Sequence, residues 1–92
     1  MKCYSIYDAA AQYYLPPFFA KNDAHAKRMF IQSLGDSFQF RSDFNLICIG
    51  SFDDDTGVFE VLNSTAILHG QSVSADLDPR NLATANEQEN VQ

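Results

Sequence analysis

Residues 44–62, FNLICIGSFDDDTGVFEVL, restrict this chain more than any other segment. Residues 44–52 are apolar at nearly every position, residues 58–62 form a second apolar run, and only Asp53-Asp54-Asp55-Thr56-Gly57 separates them. A link that short joins two strands as an antiparallel hairpin. Asp tolerates turn and left-handed conformations, its carboxylate accepts hydrogen bonds from nearby amides, and Gly57 supplies a positive φ where the chain re-enters the strand. A two-stranded ribbon is not stable alone in water, so the rest of the chain must extend it and cover it.

Residues 3–8, CYSIYD, mix β-branched and aromatic side chains and read as a further strand. Residues 13–19, YYLPPFF, are aromatic and extended; Pro16 and Pro17 forbid a helix and remove two ladder donors, which leaves an edge strand or a polyproline-like segment. The spacing of Ala26, Met29, Phe30 and Leu34 predicts a helix over 23–34, capped by Asn22 or Asp23 and ended by Gly35. Residues 63–70, NSTAILHG, read as a capped helical turn. The expected fold is α+β: a small, mainly antiparallel sheet with one principal helix on one face. Residues 1–72 form the single domain, and residues 73–92 form an acidic, polar, mobile tail.

The formal charge of -6 supplies no long-range attraction to nucleic acid or to an anionic membrane. Residues 1–72 hold Lys2, Lys21, Lys27, Arg28 and Arg41 against eight acids, and residues 73–92 hold Arg80 against four, so each part carries -3. No apolar run approaches the roughly 18 residues that span a bilayer. Cys3 and Cys48 each lie in an apolar stretch with no second Cys or paired His nearby, as buried free thiols do. A soluble protein in a reducing cytoplasm is expected.

No catalytic residue, metal or cofactor is assigned. The acidic turn resembles the start of a calcium loop, but the twelfth position counted from Asp53 is Ser64 where a Glu is needed. His25 and His69 lie far apart in sequence, and the serines occupy no nucleophile elbow. What remains is an aromatic set beside basic groups. Single-stranded nucleic acid is held by such a pairing, since bases stack on rings while cations meet phosphates. Tyr13, Tyr14 and Phe18 with Lys21, Lys27 and Arg28 are the expected surface. The aromatic total exceeds what one helix on a short sheet covers, which predicts a homo-oligomer, most simply a dimer, with residues 13–19 at its interface.

The run MKCYSIYD, the Pro16-Pro17-Phe18 segment before a helix bearing Ala26 and Phe30, and the turn GSFDDDTG occur in order, and together they resemble the small nonstructural protein of gokushoviruses, single-stranded DNA phages of the microvirus family. The resemblance covers about residues 1–65 and supplies no catalytic residue. It implies a nonstructural protein in the cytoplasm of an infected bacterium, involved in single-stranded DNA binding during genome replication or packaging. The alternative is a non-enzymatic interaction protein that binds a phage replication or assembly protein, or a host factor, without touching DNA.

Overall fold

The computed structural model describes residues 1–80. The strands are β1 (Lys2–Asp8), β2 (Tyr13–Tyr14), β3 (Phe18–Ala20), β4 (Phe44–Phe52) and β5 (Phe59–His69), and the helix α1 (Asp23–Leu34) lies between β3 and β4. All strand pairings are antiparallel, in the order β2-β1-β4-β5, with β3 also on the β1 edge. The architecture is the expected α+β one. Among the described residues no helix is long and apolar enough to cross a membrane.

The hairpin closes as its composition dictates. Asp53 Oδ1 accepts from the amides of Asp55 and Thr56, the Gly57 N–H donates to the Asp53 carbonyl at 2.8 Å, and Gly57 has φ 77°. Pro16 and Pro17 lie between β2 and β3 at the sheet edge, the one place in a sheet where missing donors are tolerated. Around them the segment is fixed by the Leu15 N–H on the Ile6 carbonyl and by Ser5 Oγ–H on the Leu15 carbonyl.

Helix α1 is capped by Asn22, whose Oδ1 accepts from the His25 amide at 2.8 Å, and it ends at Gly35 with φ 47°. Ala26, Phe30 and Leu34, four residues apart, are its buried stripe, while Met29 is only partly buried. They pack on Tyr4, Ile6, Leu46 and Cys48, the side chains of β1 and β4 that face the helix. The Tyr4 hydroxyl donates to the first helical carboxylate, Asp23, at 2.6 Å, and Lys2 lies 3.7 Å from the same oxygen. That hydroxyl, ahead of Lys2, holds the Asp23 carboxyl below its ordinary value. Cys3 and Cys48 are both buried and free, and burial pushes the Cys3 thiol up.

One expectation is corrected. Residues 63–70 form no helical turn: β5 runs on to His69, because β4 offers unpaired backbone along its whole length and the β-branched Thr65 and Ile67 suit a pleated ribbon. The polar stretch after α1 is a 3₁₀ segment, Gly35–Asp43, held in place by the buried Phe38. Packed residues continue past residue 72. Val73 is buried in the core, its carbonyl accepts from Arg41 Nε at 2.8 Å, and Asp78 is buried against Arg80. The rest of the expected tail, residues 81–92, lies outside the described residues.

Candidate functional site

The register of β1 and β4 decides which rings reach solvent. Tyr4 pairs with Cys48, but Cys3 pairs with Gly50, so Ile49 is an extra residue on β4. Side chains alternate along a strand and cross-strand partners share a face. The bulge at Ile49 therefore turns Gly50 and Phe52 to the face opposite Leu46, Cys48 and the helix. Phe19 joins them by pairing with Cys3, and Phe59 by pairing with Phe52. The Phe19 and Phe52 rings meet edge-on at 5.8 Å, and the Phe59 ring lies over Gly50, where a β-carbon would come within 2.5 Å of it. Phe19 is 45% and Phe59 46% exposed.

A second ring pair, Tyr7 with Tyr14 at 4.8 Å, stands on the same helix-free face. It lies four residues along β1 from Cys3, about 13 Å at the usual strand rise. Between the two pairs is a shallow hollow lined by Ser5, Pro16, Pro17, Ile49 and Ser64. Among the paired strand residues of this face there is no Asp, Glu, Lys or Arg. Of its polar side chains, Asn45 and His69 bond each other at 2.8 Å and Ser5 donates to the Leu15 carbonyl.

The expected site residues are divided by this arrangement. Tyr14 is on the helix-free face. Tyr13 is exposed at the end of β1, opposite Asp8. Phe18 is on the helix side, stacked on the buried Tyr4 ring at 5.8 Å and only partly exposed. Lys27 and Arg28 are on the exposed side of α1. Lys21, His25 and Arg28 line one hollow at the start of that helix, where the Lys21 amide donates to His25 Nδ1 at 3.4 Å. Tyr13 is level with one end of β1 and Lys21 follows the residue level with the other, about 20 Å away. The rings near Lys21 are Phe19, two residues before it, and Phe52 beyond Phe19. The expected binding set contains neither, although Phe19 belongs to the segment 13–19 expected at an oligomer interface, and Gly50 inside an apolar strand is a signal for a bulge or a close approach.

Arg41 is committed elsewhere, bonded to Val73 and placed over the Phe38 ring at 4.6 Å. The three carboxylates of the hairpin turn are exposed, with oxygens within 4.8 Å of one another. The Asp53 carboxyl is held below its ordinary value, first by the Asp55 amide and then by that of Thr56, which is the work of a turn. Replacing Asp54 and Asp55 by Asn is expected to change stability by less than about 1 kcal/mol in urea unfolding, equally with and without calcium. A calcium-dependent rise in the parent midpoint that the double variant loses would instead assign a cation to the turn.

No curated protein and no solved structure is significantly similar to the chain. A family model described as Phage ORF5 protein matches residues 1–73, which include β1 to β5, α1 and both ring pairs. The chain therefore belongs to the Phage ORF5 protein family.

Proposed function

We propose that this phage protein is a nonstructural, non-enzymatic protein of the gokushovirus type within the microvirus family. In this reading it acts in the cytoplasm of the infected bacterium and binds single-stranded DNA, without strong sequence preference, during genome replication or packaging. The observation that carries the reading is the Phe19–Phe52 ring pair on a helix-free sheet face, two residues from Lys21 and the hollow that Lys21 shares with Arg28. Bases would stack on Phe19, Phe52 and Phe59, with Tyr7 and Tyr14 further along the face, while Lys21 and Arg28 would meet phosphate at the edge. Each stacked base contributes roughly 1–3 kcal/mol, and the net charge of -6 opposes every phosphate, so binding is weak.

The test is fluorescence anisotropy of a labelled oligo-dT over a range of salt. Binding at low salt that declines as salt rises is expected, because cation-phosphate contacts release counterions. Phe19→Ala should weaken it by roughly 1–3 kcal/mol. Lys21→Glu with Arg28→Glu should abolish binding and leave the melting temperature near that of the parent. No binding by the folded parent at low salt defeats the reading.

The second reading is an interaction protein that binds a phage replication or assembly protein, or a host factor. It is favoured by the absence of Asp, Glu, Lys and Arg among the paired strand residues of the ring-bearing face, since an uncharged apolar patch on a small domain is what protein partners cover. Oligonucleotide affinity unchanged by Lys21→Glu and Arg28→Glu, or absent throughout, selects it.

A further inference from the structure

The rings of the helix-free face give a single strand of DNA two routes from the Lys21 corner. Phe19 and Tyr14 both stand beside β1, level with Cys3 and Tyr7, so one route runs along β1 from the first ring pair to the second. Phe59 is on β5, beyond Phe52, so the other crosses the sheet from Phe19 to Phe59 and on to Val61, which pairs with Gly50 and is 80% exposed.

Charge separates the routes. Phe52 and Phe59 flank the turn that contains Asp53, Asp54 and Asp55, and Val61 follows Glu60. The turn carboxylates are exposed, and the first is one residue from Phe52, well inside the roughly 8 Å over which charges act at physiological salt. A phosphate chain crossing there is repelled at each step. The route along β1 leaves the turn behind. Two acids adjoin its far end, Asp8 and Asp43; Asp8 alternates to the helix side, and its Oδ1 accepts from the Ala10 and Ala11 amides. Between the ring pairs this route has the hollow of Ser5, Pro16, Pro17 and Ile49, with Tyr14 at its rim. The proline rings there have no rotamer freedom to lose on contact.

We propose that Tyr7 and Tyr14 form a second base-stacking subsite, and that the ligand is a continuous unpaired stretch laid along β1 from Lys21 toward Tyr14. The ring pairs are about 13 Å apart, four steps of a stacked strand at roughly 3.4 Å each, so about five nucleotides fill the face and fewer do so in a strand drawn out. The inference rests on the DNA-binding reading and adds to it the course of the strand and the length it needs. A dinucleotide reaches one ring pair only, and Lys21 and Arg28 hold it at the first. A duplex, with every base stacked between neighbours, offers neither pair a free base.

The experiment is an amide-resolved NMR titration of the full chain at low salt, with a thymidine dinucleotide and with a thymidine hexanucleotide. Both should shift the amides of Phe19, Lys21 and Phe52, and only the hexanucleotide those of Tyr7 and Tyr14. Tyr14→Ala, at a 54% exposed position, should weaken the hexanucleotide roughly fivefold or more, the loss of one stacked base. Hexanucleotide shifts that run past Phe59 to Val61 and spare Tyr7 and Tyr14 overturn the inference and leave the DNA-binding reading standing. So do equal shifts of Tyr7 and Tyr14 by the dinucleotide. The absence of any shift with either oligonucleotide defeats both.

Discussion

Phe30→Ala is expected to lower the free energy of unfolding by roughly 3–5 kcal/mol, the range for truncating a buried aromatic ring. The expectation follows from position more than residue type. Phe30 is 0% exposed at the middle of the α1 stripe, flanked by Ala26 and Leu34, and meets the sheet over Tyr4 and Leu46, which are also fully buried. Ala26 on one side is too small to fill the space left behind. Domains of this size carry about 5–15 kcal/mol in all, so the loss is a large part of the total and the variant should unfold well below the parent in urea. Met29→Ala, one position along the helix but only partly buried, should cost less. A Phe30→Ala protein that keeps the parent midpoint would mean that α1 does not seat on the sheet through this face.

What could be read from the sequence was whatever local spacing sets. The hairpin followed from two apolar runs around an Asp-rich link, and α1 from the recurrence of Ala26, Phe30 and Leu34 with Asn22 before them and Gly35 after. Residues 63–70 misled because Asn63, Ser64 and Gly70 carry helix-end chemistry, yet the free edge of β4 demands a partner and sheet pairing overrides that preference. Phe38 and Val73 are single buried residues in polar runs, Phe40 beside the first being exposed, and one buried residue makes no period to detect. At the candidate site the basic groups were legible as a cluster around the start of α1. The rings beside them were not. A two-residue alternation carried through β4 without interruption would place Phe52 on the helix side, and only the extra residue at Ile49 moves it to the open face.

Gly70→Ala is the other substitution expected to be severe, at about 3 kcal/mol, the upper part of the usual range for forcing volume into a packed site. The reason is space rather than backbone conformation. Among the described glycines only Gly35 and Gly57 have positive φ, and a β-carbon at either would meet nothing within 4 Å. At Gly70 it would overlap the Arg41 carbonyl oxygen and fall 2.6 Å from that of Phe44. Both obstacles are backbone, so no side-chain rotation relieves the clash, and either the 3₁₀ segment before β4 or the turn after β5 must move. Movement there also strains the Arg41–Val73 bond and draws Val73 from the core. The signature is therefore twofold: a lower urea midpoint, and faster amide exchange at Val73, whose N–H donates to the Gly70 carbonyl at 3.0 Å. Gln71→Ala, at the exposed next position, should leave both unchanged within about 0.5 kcal/mol. If Gly70→Ala matched it, β5 would not approach residues 41–44 this closely, and the hold on residues 73–80 would have to lie elsewhere.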